Sequence, residues 1–205
     1  GGEGDDTLLG GAGDDLLVGG PGDDVIDGGS GTDGLVQESI DPVAYWNFNE
    51  TSGDVASDSA GTPQDGICFG GCLDLVDAGP DAAFDAETAV KFPGCTGDYV
   101  AVGHDPVFEV PEGTVQLWFN TDRTWCDDQT LFSKDHNGYE TGGHLNISLD
   151  DHKVEVRLQS THDSHYIQTG NLIERHRWHH LAFIFGSDGM KLYLDGNLVG
   201  ENDFT

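Results

Sequence analysis

GGEGDDTLL-GGAGDDLLV-GGPGDDVID-GGSGTDGLV, residues 1–36, is a nine-residue pattern repeated four times without a gap. Glycine stands at places 1, 2 and 4 of every unit, aspartate at place 6 and an aliphatic residue at place 8. The segment holds 13 Gly, 8 Asp and one Glu but no Lys or Arg. So acidic a segment repels itself unless a cation neutralises it, and its unbroken short period is typical of stacked repeats.

The pattern resembles the glycine-rich, calcium-binding nonapeptide repeats of RTX (hemolysin-type) proteins, which bacteria secrete. This resemblance implies a short parallel β-roll over 1–36, in which two nine-residue units form one coil and equivalent turns stack 18 residues apart. It implies calcium as the cofactor, bound by turn carbonyls and the place-6 aspartates, because Ca²⁺ prefers hard oxygen ligands. Stacking pairs Asp6 with Asp24 and Asp15 with Asp33. The place-5 residues are expected to point outward as surface charge: Asp5, Asp14 and Asp23.

The composition restricts the partners of the whole chain. Its 205 residues carry 8 Lys and Arg against 38 Asp and Glu, a formal net charge of −30. Nucleic acids and anionic lipid surfaces are excluded as partners, because their phosphates need clustered cations. No apolar run approaches the roughly 20 residues of a membrane-spanning helix, so we expect no membrane insertion. Cations, neutral sugars and basic proteins remain as partners.

From residue 43 onward, short apolar or alternating runs follow one another with turn signals between them. No helical period extends over ten residues, whereas Asp150-Asp151, Asp188-Gly189 and Asp195-Gly196 are turn dipeptides. About a dozen such runs predict an antiparallel β-sandwich or jelly roll, so the chain is expected to be all-β. The expected strands are 43–48, 73–76, 89–92, 99–102, 114–120, 130–134, 144–150, 153–159, 165–169, 178–185, 191–195 and 197–200.

Several runs resemble the laminin-G-like, concanavalin A-like lectin/glucanase domains. They are VAYWNFNETSGDVASDSAG (43–61), AVKFPGCTGDYVAV (89–102), TVQLWFNT (114–121), RWHHLAFIF (177–185) and KLYLDGNLVG (191–200). The resemblance implies a concanavalin A-like jelly roll over 43–205, after a linker at 37–42. It also implies core positions for the tryptophans of the strand signatures: Trp46, Trp118 and Trp178.

Relatives of this class suggest two further features of the sandwich. Asn49, Glu50 and Asp58 resemble a segment that holds a structural calcium ion in many of them. Relatives also continue with a further strand beyond the point where this sequence ends. We therefore expect a sandwich that lacks its last strand and that associates with itself through an open edge.

Aromatic residues in loops are the candidates for ligand binding. Trp125 and Arg123 share one loop, and a large apolar side chain in a loop usually has a reason. Packing of Trp125 onto a bridge at Cys126 explains its position equally well. Tyr139 and Tyr166 are further candidates, since sugar sites use aromatic faces together with a few polar groups.

The chain has four cysteines, an even number beside calcium repeats, which favours disulfides in an oxidising, extracellular compartment. Three pairings are possible, and the expected one joins Cys68 to Cys72 and Cys95 to Cys126. A zinc site is the alternative. It is weakly supported, because no histidine lies within twenty residues of the Cys68/Cys72 pair.

Catalytic motifs are not apparent in the sequence. Retaining glycosidases of this sandwich class need two neighbouring carboxylates on one strand, but KVEVRLQ (153–159) holds one acid, Glu155. No Gly-x-Ser-x-Gly elbow is present. Residue types used by lyases of this fold occur without the lyase motifs: Arg157, Gln159, His165 and Tyr166. We therefore expect a binding protein rather than an enzyme.

These observations together predict a fragment of a secreted bacterial protein that works outside the cell or at its surface. A calcium-stabilised spacer would precede a lectin-like module that binds carbohydrate or another surface ligand, as in an adhesin, a matrix protein or a surface-layer component. Two alternatives stay open. One is a polysaccharide-active enzyme or its accessory module, and the other is a structural subunit of an extracellular assembly without a glycan ligand.

Overall fold

The architecture is that of a computed structural model of the 205-residue chain. Seventeen β-strands and one 3-10 turn, Pro106–Phe108, form the regular structure of its described part, which confirms an all-β chain. In this part no helix is long and apolar enough to cross a membrane. The described residues are 6–18, 25–36, 42–48, 50, 52–60, 63–70, 76–78, 88–92, 97–121, 128–134, 144–170 and 173–204.

The nonapeptide repeats form two pairs of parallel strands. The four strands are β1 (Thr7–Leu9), β2 (Leu16–Val18), β3 (Val25–Asp27) and β4 (Gly34–Val36). β1 pairs with β3 and β2 with β4, so that Leu8 lies opposite Ile26 and Leu17 opposite Leu35. This register of two nine-residue units confirms the parallel β-roll.

Three of the four place-8 side chains form the interior of the roll, whereas the fourth, Leu35, is 52% exposed. Leu8, Leu17 and Ile26 are half-buried, and the residues on either side of each are exposed. So narrow an interior removes little apolar area from water, whereas every ordered residue costs conformational entropy. The stability of the roll must therefore come largely from its turns.

Residues 55–102 contribute five short strands. They are β5 (Val55–Ala56), β6 (Gly66–Phe69), β7 (Val76–Ala78), β8 (Thr88–Val90) and β9 (Tyr99–Val102). β6 pairs with both β5 and β9, and β7 pairs with β8, all antiparallel. These strands form two small sheets that are separate from the main sandwich.

The strand expected at 43–48 is not formed. Trp46 makes an isolated bridge to Asp58, and Phe48 has a positive φ of 53°, which lies outside the extended region. The Asp58 carboxylate accepts a hydrogen bond from the backbone N–H of Tyr45 at 2.6 Å. This N–H is therefore not available to pair with a neighbouring strand. Such side-chain acceptors compete with strand pairing.

Two four-stranded antiparallel sheets form the sandwich. The strands are β10 (Gly113–Asn120), β11 (Asp128–Lys134), β12 (His144–Asp150), β13 (Lys153–Gln159), β14 (Ser164–Gln168), β15 (Trp178–Gly186), β16 (Gly189–Leu194) and β17 (Asn197–Asn202). The first sheet has the order β10-β15-β16-β17, and the second sheet has the order β11-β12-β13-β14.

One apolar core fills the space between the two sheets. Leu181, Phe183 and Leu192 of the first sheet pack with Ile147 and Val156 of the second, and all five are fully buried. Each alternates along its strand with a residue that faces outward, as the two-residue period of a strand requires. The predicted antiparallel sandwich is confirmed.

Tight turns connect neighbouring strands of each sheet. Asp151 (φ 45°) and His152 (φ 60°) join β12 to β13, and Asp195 (φ 49°) and Gly196 (φ 76°) join β16 to β17. Positive φ at two successive residues is the geometry of the two-residue hairpin turn that suits twisted strands. The first of these turns lies one residue later than the sequence indicated.

β17 lies against β14 and joins the two sheets along one side of the sandwich. Asn202 Nδ2 donates to the Tyr166 carbonyl oxygen at 3.2 Å. The Phe204 ring stacks on His165 with 3.5 Å between the ring centroids. Gly200 permits this approach, because a Cβ there would collide with the side chain of Ile167.

Asp195 fastens the β16–β17 turn to β15. Its carboxylate accepts the backbone N–H of His180 at 3.0 Å and lies 2.9 Å from Nδ1 of the buried His179. The other ring nitrogen of His179 is 3.1 Å from the Glu174 carbonyl oxygen, and Arg177 lies 3.6 Å from the Asp195 carboxylate. Burial raises the pKa of Asp195, but these hydrogen bonds and charges outweigh it and hold the pKa below the ordinary value of 3.8.

Replacing Asp195 with Asn should lower the free energy of unfolding by about 1.5 kcal/mol at pH 7, because the hydrogen bonds to a charged acceptor are weakened. A carboxylate whose pKa falls on folding stabilises the protein above its unfolded pKa. That contribution is lost as the pH drops from about 4 through the lower folded value. Thermal unfolding of both proteins at pH 7 and pH 3 checks this, and the difference should shrink at pH 3. Asp188→Asn, at an exposed turn, is the control and should behave as the parent does.

Candidate metal and ligand sites

The turns of the roll bring two place-6 aspartates together. Asp33 Oδ1 accepts the backbone N–H of Asp15 at 3.0 Å, so the predicted pair is adjacent. Asp6 directly precedes β1, and its carbonyl oxygen accepts the N–H of Val25 at 2.8 Å. Asp24, the predicted partner of Asp6, lies outside the described residues.

Oxygen atoms converge where the turns containing Gly10 and Gly28 meet. Asp15 Oδ2 is buried and has no hydrogen-bond partner among the described residues. A Cβ on Gly10 would lie 2.8 Å from this oxygen and 2.6 Å from the Gly28 carbonyl oxygen, and a Cβ on Gly28 would collide with the Asp33 carboxylate. Burying an unpaired carboxylate oxygen is costly, whereas carboxylate and carbonyl oxygens together suit Ca²⁺. These oxygens suit a calcium ion, and its coordination by Asp15 and Asp33 stays a prediction.

The neighbouring place-5 aspartate has a different partner. Asp14 is exposed, and its Oδ1 accepts the backbone N–H of Thr32 at 2.8 Å, 18 positions along the chain. It therefore holds one turn against the next in addition to carrying surface charge. The two neighbouring aspartates thus have different roles. Asp14 binds the main chain of the next turn, and Asp15 presents an oxygen to the proposed ion.

Two of the residues expected to bind a second calcium ion flank β5, Glu50 before the strand and Asp58 after it. Glu50 Oε1 accepts the N–H of Ser57 at 2.6 Å, while its Oε2 is buried with no hydrogen-bond partner in the described ranges. Burial raises the pKa of Asp58, but backbone hydrogen bonds outweigh it and hold the pKa below 3.8. The donors are the N–H groups of Tyr45 at 2.6 Å, Ala60 at 2.9 Å and Gln64 at 2.8 Å.

The carboxylates of Glu50 and Asp58 therefore both accept hydrogen bonds from backbone N–H groups near them in the chain. Asn49 lies outside the described residues, so calcium at this place stays a prediction. Across the described ranges, no group of three or more His, Cys, Asp or Glu side chains could hold a metal ion. The roll turn is of a different kind, because a main-chain carbonyl joins its two carboxylates. Further predicted residues that lie outside the described ranges are Asp5, Asp23, Arg123, Trp125, Tyr139, Cys72, Cys95 and Cys126.

Cys68 is the cysteine that the structure describes. It is 6% exposed in β6, packs against Val90 and Val100, and is disulfide-bonded. Because the other three cysteines lie outside the described ranges, the expected pairing stays a prediction.

The outer face of the first sheet carries four rings. Trp118 is 55% exposed, and His180 lies opposite it on β15 with 5.0 Å between the ring centroids. Trp178 is two positions before His180 on the same strand, and Tyr193 lies opposite Ala182 on β16. Trp118, Trp178, His180 and Tyr193 are termed the aromatic face.

The prediction that Trp118 lies in the core is wrong. Val115, Leu117 and Phe119 of β10 pack into the core, so the side chain between the last two must point outward. This alternation is visible in TVQLWFN itself and outweighs the tendency of tryptophan to be buried. The core position expected for Trp178 is wrong as well, because the inward residues of β15 alternate from His179 and leave half-buried Trp178 on the outer face. Trp46 is half-buried.

The outer face of the second sheet is polar. Asn146, Arg157 and Tyr166 lie side by side on β12, β13 and β14, and Tyr166 is 49% exposed. Glu155 and Gln168 lie opposite each other in the next row, where Gln168 Nε2 donates to Glu155 Oε2 at 3.4 Å. These five residues are termed the polar face, and they include Tyr166, a predicted ligand-binding residue.

Two family models match the chain. Residues 1–35 match the RTX calcium-binding nonapeptide repeat, and residues 94–205 match a laminin G-type model described as the concanavalin A-like lectin/glucanases superfamily. The chain belongs to the concanavalin A-like lectin/glucanase superfamily. Its repeats are calcium-binding RTX repeats, which confirms calcium as the cofactor. The start of the concanavalin A-like domain at residue 43 stays a prediction.

No curated protein matches the chain. Among solved structures, an S-layer domain-containing protein from Clostridium thermocellum ATCC 27405 is similar, with 20% sequence identity and a TM-score of 0.47. The similarity covers 78% of this chain and 71% of that chain.

Asp15→Ala in the RTX repeats should remove one bound calcium ion, because it deletes the buried oxygen that lacks a hydrogen-bond donor. Asp14→Ala is the matched control, since it removes an equal charge one position away but only a backbone contact. Calcium content of each full chain, measured by equilibrium dialysis, checks the difference. Equal losses in both variants would show that charge density, rather than a defined ligand set, retains the ion.

Chelating calcium should unfold the RTX repeats while the concanavalin A-like sandwich stays folded. An ion that binds the folded state alone stabilises it by RT ln(1 + [L]/Kd), which is about 2.7 kcal/mol at a hundredfold excess over Kd. Hydrogen exchange should therefore become fast over β1–β4 in chelator and remain slow over β12, β13 and β15. A roll that keeps its protection in chelator would contradict the expectation.

Proposed function

We propose that this chain is a calcium-stabilised, lectin-like module of a secreted bacterial protein, and that its sandwich binds neutral carbohydrate through the aromatic face. RTX repeats and a concanavalin A-like domain fit an extracellular calcium-binding module. The observation that carries the proposal is the exposed ring of Trp118, which lies among three further rings on a sheet face. Large exposed apolar side chains that cluster in this way usually mark an interaction site.

The aromatic face offers both kinds of contact that a sugar needs. The C–H groups of a pyranose ring pack on an aromatic ring, and its hydroxyl groups require hydrogen-bonding partners. Gln116 and Asn120 are exposed on the same side of β10 as Trp118, one on each side of it. Ala182, opposite Gln116, has a small side chain that leaves room beside the Trp118 ring.

The charge of the aromatic face favours a neutral ligand. The chain has a net charge of −30, yet the side chains around Trp118 are rings and amides and include no carboxylate. At one end of the face Lys191 lies opposite Glu201, and at the other end the Asp195 carboxylate is held by the His180 N–H and approached by Arg177. An anionic polymer would meet the repulsive field of the whole chain, whereas a neutral glycan would not.

We place this module in an adhesin, a matrix protein or a surface-layer component, and we propose binding rather than catalysis. The RTX repeats would act as a spacer that becomes rigid where calcium is plentiful. On the polar face, Glu155 has Ser148 and Gln168 as cross-strand partners, and neither supplies the second carboxylate of a glycosidase. Self-association through an open sandwich edge stays a prediction.

Trp118→Ala should weaken the binding of neutral glycans at least tenfold, because it removes the ring on which the sugar packs. A tenfold loss corresponds to about 1.4 kcal/mol, which is within the range of a single aromatic anchor. Binding of the calcium-loaded chain is first measured on an array of neutral and charged glycans, and the strongest neutral ligand is then titrated against each variant.

Tyr99→Ala is the matched control, since Tyr99 is similarly exposed, at 52%, but lies on β9 outside the aromatic face. It should bind like the parent. Trp118→Phe keeps a ring at the position and should recover part of the affinity. The proposal fails if no neutral glycan binds, or if Trp118→Ala and Tyr99→Ala are equally mild.

A further inference from the structure

The polar face contains an arginine whose charge is not paired within the sheet. Arg157 lies in the middle of β13 and is half-buried by its neighbours. Its Nε is buried and has no hydrogen-bond partner among the residues that the structure describes. A guanidinium is charged at every physiological pH and carries five N–H donors. The buried Nε–H is out of a ligand's reach, so a ligand would meet the terminal N–H groups of this half-buried side chain.

Glu155 is the acidic residue of the polar face, and its carboxylate accepts a hydrogen bond from a neutral amide. Glu155 lies two positions before Arg157 on the same side of β13, and its Oε2 accepts the amide of Gln168 at 3.4 Å. Beyond the polar face, on the same side of the sheet, Asp150 lies opposite Lys153. In a chain with 38 acidic and 8 basic residues, an arginine that makes no ion pair among the described residues is therefore informative.

The direct neighbours of Arg157 are complementary to a sugar. Asn146 lies opposite on one side and can donate to, or accept from, hydroxyl groups. Tyr166 lies opposite on the other side and exposes 49% of its surface, which gives a ring face for C–H packing. The row thus offers an apolar platform, an amide and a planar cation in sequence.

We propose that the polar face is a second binding site, for a sugar that carries a carboxylate, with Arg157 as its anchor. The forked guanidinium matches a planar carboxylate in a bidentate pair more closely than it matches a hydroxyl group. The net charge of −30 disfavours densely charged polyanions, while at physiological salt the field of distant charges is screened beyond about 8 Å. The ligand is therefore a uronic acid residue within an otherwise neutral glycan.

This site is independent of the aromatic face. The aromatic face belongs to the first sheet and the polar face to the second, and the core lies between them. The polar-face proposal therefore stands or falls separately from neutral-glycan binding at Trp118.

The test uses matched pairs of methyl glycosides on the full, calcium-loaded chain. Methyl glucuronide and methyl galacturonide are compared with methyl glucoside and methyl galactoside, and binding is followed by NMR titration. At least one uronide should bind tenfold more tightly than its neutral parent. Arg157→Gln should abolish this preference, and Arg157→Lys should keep only part of it, because an ammonium lacks the fork.

Lys153→Gln is the matched control, since it removes one positive charge from the same side of β13. It should leave uronide binding unchanged. The proposal is overturned if neither uronide binds, if the neutral parents bind equally well, or if Lys153→Gln is as harmful as Arg157→Gln. A sulfated glycoside that binds as tightly as the uronide would overturn the carboxylate assignment. Unfolding temperatures of all variants, expected to match the parent, separate loss of the site from loss of the fold.

Discussion

The sandwich depends on a single constraint, which is that every second side chain of each strand must enter one apolar core. Leu181, Phe183 and Leu192 meet Ile147 and Val156 between the sheets. Once these residues point inward, the residues between them must point outward, whatever their chemistry. The rings of the first sheet and the row of amide, guanidinium and phenol on the second are therefore consequences of the same packing rule.

The RTX repeats are stabilised in a different way. Their interior consists of half-buried aliphatic side chains, and the turns bring carboxylates together instead of separating them. An arrangement that is repulsive by itself becomes favourable when a divalent cation is shared between the oxygens. The two parts of the chain thus differ in what holds them, since apolar burial maintains one and ion coordination the other.

The sequence predicts most of the fold because two simple periods, of two and of nine residues, govern nearly all of it. The same two-residue period indicates the outward position of Trp118, although its family signature pointed to the core. The segment at 43–48 was not predictable in this way, because the Asp58 carboxylate binds a backbone N–H from 13 positions away. Nor does spacing along the chain reveal that Arg157 Nε lacks an acceptor among the described residues, since that depends on which side chains lie opposite it across three strands.

Because the roll has an 18-residue register, an even and an odd number of added nine-residue repeats have different consequences. Inserting two repeats adds one strand to each of the two parallel sheets of the roll and lengthens the roll by about 4.8 Å. The chain then leaves the roll on the same side as before. Inserting a single repeat adds half a coil and moves the exit to the opposite side. Duplication of even numbers of repeats would therefore change only how far an attached domain stands away, whereas odd numbers would turn it to face the other way.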